Sequence, residues 1–141
     1  MVYYKVCLRI CGQGLDTYEV TSELGVDPTK VIRTGDKGVL GPAPIPAWMW
    51  EARTDSGSEK WNELEAGLQR VISVFGNRRE SLQELQLRWE VLLFCGYFTD
   101  ELGGPTFSPS ILKGLGALGV ELFLDTYLYE SGEQAVDSEP E

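Results

Sequence analysis

VYYKVCLRIC, residues 2–11, decides how this chain folds. Tyr4, Val6, Leu8 and Ile10 fall on one parity, and Tyr3, Lys5, Cys7, Arg9 and Cys11 on the other. A period of two over ten residues predicts a strand with a more apolar and a more polar face. A sheet is therefore expected, with its first strand at the start of the chain. Gly12 and Gly14 end that strand.

Beyond it the chain alternates between strand and helix patterns. Asp16, three residues before Glu19, has capping-box spacing, and a short helix should run through Val20 and Leu24 to Gly25. The stretch DPTKVIRTGD, residues 27–36, reads as a connector, because Pro28 disfavours helix and Gly35-Asp36 favours a turn. Proline-rich chain then leads to a second strand around Trp48–Arg53, with Trp48 and Trp50 on one side. The loop Asp55–Ser58 should cap a helix running from Glu59 to about Gly76, with Trp61, Leu64, Leu68, Val71, Ile72 and Phe75 at helical spacing. A short helical piece carrying Leu82 and Leu85 follows, then a third strand over residues 87–98. Ser108-Pro109 opens a helix with Ile111, Leu112, Leu115 and Leu118, Gly119 closes it, and Val120–Tyr129 forms the last strand.

The order β-α-β-α-α-β-α-β predicts an α+β two-layer sandwich, with a four-stranded, mainly antiparallel sheet and the helices on one face. Residues 1–130 are expected to form a single domain. Residues 131–141 are expected to be an acidic, disordered tail, too poor in apolar side chains to fold.

Composition narrows the function classes. The net charge is −10, and Glu130, Glu133, Asp137, Glu139 and Glu141 supply half of it. An acidic body without a concentrated basic face argues against nucleic acid as a partner. No apolar run reaches the roughly 18 residues of a membrane span, and no signal-peptide pattern opens the chain, so a cytoplasmic protein is expected. The three cysteines include no CxxC pair, and Cys7 and Cys11 would lie about 13 Å apart in a strand, too far for a disulfide. There is no histidine, and three scattered cysteines do not make a zinc set, so no metal and no cofactor is expected.

Leu24-Gly25 with Pro28-Thr29, then Gly35-Asp36, then Trp50, then Leu118-Gly119 with Asp125 and Tyr127 occur in an order and spacing that resembles a bacterial family of unknown function, DUF4279. The resemblance spans nearly the whole chain apart from the tail. It implies this fold and a bacterial source, and no reaction. Where family members often carry a histidine before the glycine, this chain has Arg33-Thr34, which argues against a histidine-dependent role.

Three candidate sites follow from the residues. Alternation places Lys5, Arg9, Glu51, Arg53, Arg88, Glu90, Phe94, Phe123, Asp125, Tyr127 and Tyr129 on the sheet face opposite the helices. Cross-strand charge pairing explains many of them. Exposed aromatics beside arginines, however, are what binding hot spots are made of. A protein-binding face of Phe94, Phe123, Asp125, Tyr127, Tyr129, Arg9, Arg53 and Arg88 is therefore expected, unless residues 35–46 fold over it. The partner would be one protein, such as a toxin or another basic protein, engaged by a non-catalytic immunity or inhibitor module. The alternative is a small-anion sensor using Lys30, Arg33 and Lys37 in the 27–38 loop. A carboxylate-based enzyme pairing Asp125 with Glu51 or Glu90 comes third.

Overall fold

A computed structural model describes residues 2–38 and 41–129. Strand β1 (Tyr3–Cys11) is central. Helix α1 (Thr17–Leu24) follows, then the short strands β2 (Lys30–Ile32), β3 (Lys37–Gly38) and β4 (Gly41–Pro42), and then β5 (Ala47–Glu51). Helices α2 (Leu64–Phe75) and α3 (Arg79–Gln86) precede β6 (Glu90–Thr99), and α4 (Pro109–Leu118) precedes β7 (Glu121–Leu128). The expected tail lies outside the described residues.

The sheet has five strands, in the order β2-β5-β1-β6-β7. β1 runs antiparallel to both neighbours, with Leu8 opposite Trp50 and Leu93, and β2 is antiparallel to β5. Among the described strands only β6 and β7 are parallel, with Phe94 opposite Phe123. A parallel pair requires a crossover, and α4 supplies it.

One face of the sheet carries the core. Val6, Leu8 and Ile10 of β1, Trp48 of β5, and Val91, Leu93 and Cys95 of β6 pack with Val20 and Leu24 of α1, Leu68, Val71 and Phe75 of α2, Leu82 and Leu85 of α3, and Ile111 and Leu118 of α4. All four helices contribute to this one cluster. Two polar contacts tie elements of the fold together. The Trp48 indole N–H donates to Thr21 Oγ1 at 3.0 Å, and Arg78 Nε donates to the Leu24 carbonyl at 2.7 Å, which closes the C-terminal end of α1.

The helix ends follow local chemistry. Asp16 accepts the Tyr18 N–H at 3.0 Å, and Gly25 ends α1 with φ +68°, a conformation that disfavours a side chain. Ser108 Oγ accepts the Ile111 N–H at 3.3 Å, with Pro109 in the first turn of α4.

Three expectations need correction. The sheet gains a fifth strand at Lys30–Ile32, inside the stretch read as a connector. The Thr29 N–H donates to the Met49 carbonyl at 2.9 Å, and Thr29 Oγ1 accepts the Glu51 N–H at 2.8 Å, so β5 holds the segment in place. Helix α2 starts at Leu64, not Glu59, and Glu63 occupies its N-cap without a side-chain cap bond. Trp61 instead exchanges two 2.8 Å backbone bonds with Tyr4, where β5 has left the edge of β1, and its indole donates to the Ala52 carbonyl at 2.9 Å. The third sheet strand in the expected scheme begins at Glu90, three residues later than read.

Candidate functional site

Strand register sorts the opposite face into rows. Lys30, Met49, Arg9, Leu92 and Glu121 lie across one; Glu51, Cys7, Phe94 and Phe123 across the next. Lys5, Gly96 and Asp125 form a third, and Tyr3, Phe98 and Tyr127 a fourth. Successive side chains on a strand alternate faces, so these residues all point away from α1–α4. Among the described residues no helix packs over them.

The fourth row is a stack of rings. Tyr3 and Phe98 have centroids 4.6 Å apart at 7°, and Phe98 and Tyr127 are 4.5 Å apart at 10°. Phe94 and Phe123 meet at 5.8 Å in the second row. Cations border both groups. Lys5 Nζ lies 5.7 Å from the Phe98 centroid and the Arg9 guanidinium 5.5 Å from that of Phe94. Each such contact contributes about 0.5–1 kcal/mol where solvent reaches it. Gly96 makes the arrangement possible, because a Cβ there would stand 2.9 Å from the Phe98 ring. Burial is uneven. Phe98 is 2% exposed and Lys5 8%, whereas Phe123 is 47% exposed. Partial desolvation, and then the Asp100 carboxylate, push the Tyr129 hydroxyl above its usual range.

The expected face residues divide three ways. Arg9, Phe94, Phe123, Asp125 and Tyr127 share this face by register. Tyr129 follows directly after β7, its N–H bonded to the Thr99 carbonyl at 3.1 Å. Arg53 lies just beyond β5, held to Glu51 at 3.1 Å and to the Gly57 carbonyl at 3.2 Å. Arg88 does not belong there. It precedes β6 and reaches α1, bonding Glu23 at 2.6 Å and lying 3.6 Å from Glu19, so its place in the face is corrected to the helix layer. Sequence reasoning missed Tyr3 and Phe98, although each has the parity of a residue it did select, Lys5 and Phe94.

The 27–38 loop is tied to itself and to β5. Asp36 Oδ2 accepts the Arg33 N–H at 2.6 Å, and the Gly35 N–H donates to the Ala43 carbonyl at 2.9 Å. Lys30 lies in the row with Met49 and Arg9, Arg33 reaches Tyr18 of α1 at 3.5 Å, and Lys37 is in the β3–β4 pair. The three cations thus belong to three different neighbourhoods. Residues 37–38 and 41–42 pair with each other, and residues 39–40 lie outside the described residues.

The carboxylates considered for catalysis are spread by the register. Asp125 sits beside Gly96, six residues along β6 from Glu90, or about 20 Å. Glu51 is three strands away from β7, about 14 Å. None of the three cysteines is in a disulfide, and burial pushes the Cys95 thiol up to about 12. Among the described residues no group of three or more His, Cys, Asp or Glu side chains could hold a metal, and no helix is long and apolar enough to cross a membrane.

Fold and face define a small α+β domain whose five-stranded, mainly antiparallel sheet is helix-covered on one side and presents stacked aromatics on the other. The chain belongs to the family described as domain of unknown function DUF4279, whose model matches residues 2–129. Comparisons with curated proteins and with solved structures each returned no match.

Proposed function

We propose that this domain is a non-catalytic protein-binding module that engages one partner through its helix-free face, as an immunity or inhibitor protein engages a toxin. The observation that carries the reading is the Tyr3–Phe98–Tyr127 stack beside Phe94–Phe123, bordered by Lys5 and Arg9. Rigid stacked rings lose little conformational entropy on binding, and aromatic and arginine side chains supply most hot-spot energy. Exposed Phe123 and half-buried Tyr127 are the points a partner would reach first. Glu121 and Asp125 on β7 would meet basic groups of that partner at the rim.

The test is affinity capture from lysate of the source organism, wild type against Phe123→Ala/Tyr127→Ala. Retention of one stoichiometric protein by the wild type, and its loss from a double variant that still unfolds cooperatively, is the expected result. Equal capture by both proteins would remove this surface from consideration.

A further inference from the structure

The sheet has two edges, and they are built differently. β2 has three residues, follows Pro28 and carries Lys30. Short length, proline and lysine are the usual devices that keep an edge from pairing. β7 is eight residues long, contains no proline and no lysine, and pairs with β6 without a break in register. Its Leu122, Phe123 and Leu128 are exposed.

The direction of the β7 backbone is fixed by one bond. The Tyr129 N–H points to the Thr99 carbonyl of β6. In an extended parallel strand the odd-numbered residues then face β6, and Leu122, Leu124, Thr126 and Leu128 turn their N–H and C=O groups outward. Among the described residues no strand pairs with that outward side of β7.

We propose that β7 pairs antiparallel with β7 of a second copy of this chain, about a two-fold axis through Asp125, joining the sheets edge to edge. In this register Leu122 stands opposite the second copy's Leu128, and Leu124 opposite its Thr126. The four outward residues of each strand then complete about eight backbone hydrogen bonds. On the aromatic face Phe123 stands opposite the second copy's Tyr127, so the Tyr3–Phe98–Tyr127 stack continues across the axis. Exposed leucine meets exposed leucine, and ring meets ring, which is the self-complementarity a two-fold interface requires. The one unfavourable pair is Asp125 opposite its own symmetry mate, and like charges directly opposite weaken a ladder.

Sedimentation velocity over a wide concentration range reads the outcome on the full chain. The expected species at high concentration has twice the 15.7 kDa chain mass. Thr126→Pro removes an N–H that points away from β6, and should abolish the dimer while leaving the β6–β7 ladder intact. Leu128→Lys, at an exposed position, should do the same and decides the matter if the proline variant misfolds. Asp125→Asn should tighten the dimer about two- to fivefold. Concentration-dependent protection of the Leu124 and Thr126 amides from hydrogen exchange would place the contact on this strand. A wild type that stays monomeric throughout, or a dimer undiminished in Leu128→Lys, overturns the proposal. Thr126→Pro keeps Phe123 and Tyr127, so its capture of a protein partner separates this edge from the face.

Discussion

The two faces of β1 are buried by different means. Val6, Leu8 and Ile10 are closed off by helices whose apolar stripes all meet in one cluster. Tyr3, Lys5 and Cys7, on the other side, are also buried, yet their neighbours are rings and long side chains from adjacent strands. Packing between layers and packing within a layer respond differently to loss of a side chain. A hole between sheet and helices is enclosed, whereas a hole within the outer face opens towards solvent and can fill with water.

Phe75→Ala breaks this comparison hardest. Phe75 is 0% exposed and meets Trp50 edge-on at 5.2 Å, so its loss should cost about 3–5 kcal/mol in urea unfolding. Phe98→Ala should cost less, about 2–3 kcal/mol, although Phe98 is almost as buried, because the space it leaves lies on the helix-free face. Equal losses at the two sites would show that the outer face is as firmly closed as the core.

Cys95 sharpens the comparison through pH. It lies in the helix-side cluster, and burial alone raises its thiol from 9.0 to about 12. The unfolded chain therefore releases this proton first, and the contribution, complete below pH 9, declines as pH rises towards 12. Wild type should lose stability relative to Cys95→Ala by about 1.4 kcal/mol per pH unit in that window. Parallel curves for the two proteins would contradict so dry an environment. The smallest effect is expected at Phe123→Ala, within about 0.5 kcal/mol of wild type, because the ring is half exposed.

Much of the fold was legible because local chemistry and tertiary context agree. Alternation along residues 2–11 located β1 and both its faces, and the caps at Asp16, Gly25, Ser108 and Gly119 fixed the ends of α1 and α4. The failures share a physical cause. Three residues, Lys30–Ile32, are too few to show a period, and their strand exists because β5 offers them an edge. Trp61 keeps helical spacing with Leu64 and Leu68, but Tyr4 captures its backbone. Alternation misplaced Arg88 because a turn intervenes before Glu90, and parity does not carry through a turn. For the face, alternation identified Phe94, Phe123 and Tyr127, and only register showed that Tyr3 and Phe98 complete the stack.

The central pairing also constrains how the chain matures as it is made. Tyr3 meets Phe98 and Cys11 meets Glu90, partners about 80 to 95 residues apart. β5 can close one side of β1 early, but the other side has no partner until β6 has been synthesised. At typical translation rates of about 5–20 residues per second, some ninety residues take roughly 5 to 18 seconds. For that interval the edge of β1 that will pair with β6 stands open, with the apolar side chains of Val6, Leu8 and Ile10 beside it. Chaperone occupancy on nascent chains should therefore rise after β1 emerges from the ribosome and fall once Thr99 has cleared it.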